Sequence, residues 1–201
     1  MPIHIYNSFT RKKEELIPIK PQEIKMYVCG PTVYDQPHIG HARSAYIFDV
    51  IRRYLVYKGY KVKFVRNVTD VDDKIINEAN RQGRTMREVA EEVAADYFSA
   101  MEKLNVQRPD IIPKATEHIP EILALLNRLL EKETACVVGG DVYFDIKKAR
   151  DYGKLSNQNI EKMASGVRKS PEETKRDPLD FALWKKAKEG EPCWDSPWGK
   201  G

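Results

Sequence analysis

The chain has 201 residues, with 34 Lys and Arg against 30 Asp and Glu and a formal net charge of +4. With 41% hydrophobic and 32% charged residues it reads as a globular chain of one or two domains, and so slight a basicity does not demand a polyanionic partner. No apolar run reaches signal-peptide or membrane-span length, and the three widely spaced cysteines, Cys29, Cys136 and Cys193, offer neither an even-numbered disulfide framework nor a Cys-x-x-Cys metal pair; the expected setting is the reducing cytoplasm, with no membrane.

In chain order, His4–Asn7 has the composition of a short strand, and the charged segment Arg11–Glu15 reads as a turn before Pro18 and Pro21. Lys25–Cys29 is strand-like and ends at Gly30-Pro31, which places Cys29 at a strand's carboxyl end, the edge where open parallel sheets bind ligands. Apolar pairs then recur at Tyr46/Ile47, Val50/Ile51 and Tyr54/Leu55, which predicts a helix buried along that face and closed by Gly59. Lys61–Val65 alternates as a strand, so Lys25–Val65 reads as strand, helix, strand with a right-handed parallel crossover.

Asn67-Val68-Thr69-Asp70-Val71-Asp72-Asp73 follows that second strand and therefore shares the sheet edge with Cys29. Its carboxylates invite a magnesium reading, but Asp72 and Asp73 fit better as start residues of a helix over Lys74–Gln82, ended by Gly83. Thr85 and Glu88 form a capping-box signature for the next helix, whose stripe Val89, Val93, Tyr97, Met101 and Leu104 is core. Asn105–Ala115, with Pro109 and Pro113, reads as a boundary between two regions. Beyond it, Thr116 is expected to cap a helix with the apolar face Ile119, Ile122, Leu123, Leu126, Leu129 and Leu130. Cys136–Val138 and Val142–Ile146 form a hairpin through Gly139-Gly140, Gly166–Pro178 reads as a mobile surface loop, and Phe181–Trp184 is a last strand. Glu191–Gly201 is aromatic and turn-rich with no closing element, as in a chain interrupted in mid-structure.

No internal repeat, dinucleotide fingerprint or Walker-type loop is present. Chemistry concentrates in Met26–Arg43. His38 and His41 lie three apart at a helix start, where free backbone N–H groups and partial positive charge already favour an anion. Two imidazoles added there suit a phosphate, and Gly40 between them has no side chain to keep a base or sugar away. Two surface histidines at a cap remain the alternative.

The string Cys29-Gly-Pro-Thr-Val-Tyr-Asp-Gln-Pro-His-Ile-Gly-His-Ala-Arg43 closely resembles the first signature of cysteinyl-tRNA synthetases, class I enzymes marked by His-Ile-Gly-His. Arg66–Ile76, Asp180–Lys185 and Ser196–Gly199 are similar to that family in register. The resemblance implies an α/β fold: a first half of a Rossmann-like catalytic domain, parallel sheet with helices, over residues 1–115, and an inserted α+β connective region over 116–201. It implies activation of L-cysteine by ATP, with magnesium, to cysteinyl-adenylate and transfer to tRNA(Cys), by a full-length enzyme that is a monomer. His38 and His41 would be catalytic; Gly30, Thr32, Gly40, Ser44, Asn67 and Thr69 would lie around the adenylate. One zinc ion would be held by Cys29 with a later cysteine, histidine and glutamate, none of which this sequence reaches, so an incomplete amino-terminal fragment that is inactive alone is expected.

Lys162-Met163-Ala164-Ser165-Gly166 superficially resembles the family's Lys-Met-Ser-Lys-Ser signature, but departs from it at three positions and precedes the remaining zinc ligands. A rival reading is the related cysteine ligase of mycothiol synthesis, which uses an amino-sugar acceptor; Pro31, Val33 and Arg43-Ser44 are more similar to the synthetase. A rival of another class is a non-catalytic nucleotide-binding fragment.

Overall fold

The structure, a computed structural model, describes residues 2–158 and 176–201. The Lys162–Gly166 element, and the expected surface loop as far as residue 175, lie outside the described residues. The described elements are β1 (His4–Asn7), β2 (Lys12–Glu15), β3 (Glu23–Val28), α1 (Ile39–Tyr57), β4 (Lys61–Arg66), α2 (Asp73–Gln82), α3 (Met86–Lys103), α4 (Ile119–Glu131), β5 (Ala135–Val138), β6 (Asp141–Phe144) and β7 (Phe181–Trp184). Contacts group them into two units, Ile17–Ile119 and the residues on either side of it.

The Ile17–Ile119 unit is built on a parallel pair. β3 and β4 run in register from Glu23 opposite Lys61 to Val28 opposite Arg66, and α1 supplies the crossover between them. A parallel pair needs such a connection because a tight turn can only reverse the chain. The sheet extends past β4. Parallel bridges join Val65 to Ile111 and Val68 to Lys114, and the Arg66 and Val68 amides donate to the Ile111 and Pro113 carbonyls. Within the segment read as a boundary, Ile111–Lys114 therefore pairs as a proline-interrupted edge strand, in keeping with the rule that proline is tolerated at sheet edges.

α1 differs from expectation in which face it buries. Ala42, Ala45, Asp49 and Leu55 are buried, whereas Tyr46, Val50 and Tyr54 are 56%, 47% and 50% exposed. The buried face is small and polar because it carries a network to the segment after α3. Asp49 accepts from the Gln107 amide and from Arg53 Nε, while Arg52 donates to the Arg108 carbonyl and pairs with Asp110 at 2.7 Å. Asp110 in turn accepts the Phe64 amide hydrogen of β4. Small residues let the helix approach Tyr97 and Met101 of α3, which share a core cluster with Ala42 and Ala45.

The helix ends follow their caps. Asp72 accepts from the Lys74 amide at the start of α2, Gly83 closes it in the left-handed conformation, and Thr85 with Glu88 forms a reciprocal capping box on α3. Thr116 caps nothing. Its amide and hydroxyl both donate to the buried Asp70 carboxylate, and a short 3-10 turn, Ala115–His118, leads into α4 instead.

In the second unit β1 pairs antiparallel with β2, so the charged segment read as a turn is one strand of an exposed ribbon whose order comes from backbone pairing. β5, β6 and β7 form an antiparallel sheet, with both Gly139 and Gly140 at positive φ in the β5–β6 turn, the geometry that a two-residue hairpin requires. Asp180 is buried there and accepts from the Ile146 and Asp177 amides. Its place in the Asp180–Lys185 string therefore has a structural cause.

Candidate functional site

Every residue that sequence reasoning assigned to the site lies in the Ile17–Ile119 unit, either at the carboxyl ends of β3 and β4 or on the first turns of α1. Asn67 joins the two strand ends. Its Oδ1 accepts from the Gly30 amide at 2.8 Å and from the Tyr27 hydroxyl at 3.0 Å, and its Nδ2 donates to Thr69 Oγ1 at 3.4 Å. A Cβ at position 30 would sit 1.5 Å from the Asn67 carbonyl oxygen, so only glycine permits this approach. Pairing continues one step further, through a parallel bridge between Thr32 and Thr69 and a bond from the Thr69 amide to the Pro31 carbonyl. Asn67 thus shapes the edge with its whole amide group, while Thr32 and Thr69 remain half-buried along it.

At the start of α1 the two histidines cap the helix reciprocally. The Gly40 amide donates to His38 Nδ1 at 3.0 Å, and the His38 amide donates to His41 Nδ1 at 3.3 Å. A ring nitrogen that accepts carries no proton, so in each neutral imidazole the proton sits on Nε2, leaving two Nε2–H donors. The rings stack with centroids 4.0 Å apart, and the Tyr97 ring meets His41 edge-on at 6.3 Å. Burial first, then the charges of His38 and Arg66, hold His41 below the ordinary histidine range, which favours the neutral donor form. Gly40 has its own steric cause. A Cβ there would lie 2.8 Å from His38 Cε1, so the room it leaves is taken by the His38 ring.

Ser44, one turn on from His41, accepts from Arg66 Nη2 at 3.1 Å. Sequence reasoning gave no role to Arg66 or Tyr27, and placed Tyr97 in the core, where it is 3% exposed, without linking it to the site. For Arg66 a signal existed, since it alternates in phase with Phe64 and so falls on the buried face of β4, where a charge needs a reason.

Cys29 is exposed at the end of β3, its thiol 3.7 Å from the Gly30 carbonyl oxygen. A structural zinc site takes four donors and a catalytic one three. Among the described residues no group of three or more His, Cys, Asp or Glu side chains is placed to hold an ion, so Cys29 offers one donor and these residues do not make the cage. Of the three carboxylates that invited a magnesium reading, Asp70 is engaged with Thr116, Asp72 caps α2, and Asp73 opens that helix in its first turn.

Comparison with known proteins bears on this arrangement. The family described as tRNA synthetases class I (C) catalytic domain matches residues 15–201. The chain belongs to this family. Cysteine–tRNA ligase of Aquifex aeolicus (strain VF5) is 54% identical over 201 residues, covering 100% of this chain and 41% of the relative. That of Persephonella marina is 53% identical over the same span, again 41% of its length. The chain therefore spans about 41% of the curated relatives it matches. Among solved structures, the Agrobacterium radiobacter K84 agnB2 LeuRS–tRNA–LeuAMS ternary complex superposes with a TM-score of 0.52 at 20% identity, covering 63% of this chain and 17% of that one. At that identity the likeness concerns fold, and it agrees with a Rossmann-like class I synthetase arrangement of parallel strands and helices. Synthetase-family membership applies to both units, since the match runs through Gly201. No helix among the described residues is long and apolar enough to cross a membrane.

Proposed function

We propose that this chain carries the His-Ile-Gly-His half of the amino-acid activation site of a cysteine–tRNA ligase. The observation that carries the reading is the His38–His41 pair, whose mutual capping through Nδ1 leaves two Nε2–H donors at the amino end of α1. In the reaction so assigned, a carboxylate oxygen of L-cysteine attacks the α-phosphorus of ATP. The bond to the bridging oxygen breaks, pyrophosphate leaves with that electron pair, and cysteinyl-adenylate remains. The two imidazoles donate to the phosphoryl oxygens as charge builds, which accelerates the step only insofar as they bind the crowded transition state better than ATP. A hydroxyl of the terminal ribose of tRNA(Cys) then attacks the cysteinyl carbonyl carbon, the bond to the phosphate oxygen breaks, and AMP leaves with that electron pair.

On this reading Thr32 and Thr69, half-buried at the sheet edge, lie against the adenylate, Gly30 and Asn67 shape that edge, and residues 1–115 and 116–201 are the catalytic half-domain and its insertion. Cys29 would be one thiolate ligand of a zinc ion whose other ligands lie outside the described residues; such a soft centre would favour the thiol of cysteine over the hydroxyl of serine. ATP would enter with magnesium, and the complete enzyme would act as a monomer in the cytoplasm, a setting that suits three free cysteines. Acceptor choice tests the reading. Protein from the complete gene is expected to charge tRNA with cysteine; transfer to an amino-sugar and not to tRNA would contradict it.

A further inference from the structure

Arg66 is the last residue of β4 and only 7% exposed. Nη2 bonds to Ser44, but Nε is shielded from solvent with no hydrogen-bond partner, and among the described residues no carboxylate pairs with the guanidinium. The neighbouring arginines of α1 are handled differently, since Arg52 and Arg53 each meet a carboxylate at 2.7 Å. A buried charge without a counter-ion is costly and is retained where it meets an anion or tunes a neighbour. The adjoining space, lined by Ala45, Phe64, Arg66 and Tyr97, has a volume of about 20 Å³. That is room for a water-sized occupant and far too little for a phosphate ester. Arg66 must therefore act through the side chains above it.

We propose that Arg66 is a positioning residue of this site: its guanidinium fixes the Ser44 hydroxyl and sets an uncompensated positive charge beside the His41 ring, matching the donors at the start of α1 to a phosphate ester. The inference rests on the reading given under Proposed function. His41 meets the rings of His38 from the same cap and Tyr97 from α3, and the Arg66 guanidinium reaches α1 one turn further on, at Ser44. Only Arg66 is permanently charged, so it biases the site toward anions at any working pH.

The experiment uses protein from the complete gene, as wild type, Arg66→Gln and Arg66→Lys. Histidine-selective nitrogen NMR reads the titration midpoint and tautomer of His41, and cysteine-dependent ATP–pyrophosphate exchange reads kcat and KM. Arg66→Gln is expected to raise the His41 midpoint and to lower kcat by roughly 10²-fold, the scale for misplaced reacting groups, with KM for cysteine held within about threefold. Arg66→Lys keeps the charge but not the fork and is expected to fall between. If Arg66→Gln fails to fold, Arg66→Met, which also removes the charge, is judged by the same two readouts. An unchanged His41 midpoint, or kcat within about twofold of wild type in a folded variant, overturns the proposal. Absence of exchange in the wild type refutes the assigned activity alone, and the NMR readout still decides the role of Arg66.

Discussion

Gly30 and Asn67 are locked together twice: the Gly30 amide donates to Asn67 Oδ1 at 2.8 Å, and a Cβ on residue 30 would fall 1.5 Å from the Asn67 carbonyl oxygen. The contact holds the strand end bearing Cys29 against the strand end bearing Thr69. Gly30→Ala is accordingly expected to cost about 3 kcal/mol, the upper end of overpacking, because the obstructing atom is backbone. Asn67→Ala, which leaves the part-buried Gly30 amide without its acceptor, is expected to cost about 1–2 kcal/mol. Urea unfolding of each variant checks this, and an unchanged midpoint for Gly30→Ala would contradict the packing described.

The rotation of α1 is tested by substitutions on its two faces. Tyr46→Lys and Val50→Lys change residues that are already about half exposed and are expected to shift stability by no more than about 0.5 kcal/mol. Ala45→Leu enlarges a buried residue against Tyr97 and Met101 and is expected to cost about 1–3 kcal/mol. The reverse ranking in thermal melts would mean that the helix buries its aromatic face after all.

How much of this was legible in the sequence follows from the range of the interactions involved. Most local signals were reliable: Asp72, Gly83, Thr85 with Glu88, and Gly139-Gly140 each act on backbone within a few residues and sit where the sequence placed them, whereas Thr116, read as a cap, is drawn off to Asp70. Long-range pairing was legible only where a strand–helix–strand pattern announced it, as in the parallel β3–β4 pair. Hydrophobic periodicity put Tyr46, Val50 and Tyr54 inside, but Asp49 and Arg52 hold that position through bonds to Gln107, Arg108 and Asp110, about sixty residues away, which no hydropathy pattern can register. The same blindness hid the strand character of Ile111–Lys114, which exists only against β4, and made a turn of Arg11–Glu15. At the site, the motif drew attention to His38 and His41 but said nothing of their reciprocal caps or of Arg66.

The lowered titration of His41 has a consequence for stability. A histidine that binds its proton less readily folded than unfolded contributes fully above the unfolded value, about pH 6.5, and that contribution is lost as pH falls from there toward the lower folded value. Protonation of Nδ1 also removes the acceptor for the His38 amide. Urea midpoints of wild type and His41→Gln are therefore expected to converge between pH 7.5 and pH 5; a difference independent of pH would show that His41 titrates alike folded and unfolded.

Cys29→Ser in protein from the complete gene is expected to lose zinc and affinity for cysteine together, because a hydroxyl is a poor replacement for a thiolate ligand. Metal analysis of the purified variant decides the matter, and wild-type zinc content would remove Cys29 from the ligand set.

The most direct test of the assigned chemistry is cysteine-dependent ATP–pyrophosphate exchange in the same full-length protein, comparing wild type with His41→Ala. The two Nε2–H donors left by the reciprocal caps predict exchange in the wild type and a fall in kcat of about 10²- to 10³-fold in the variant, with KM for cysteine nearly unchanged. Exchange at the wild-type rate in a folded His41→Ala protein would contradict the account.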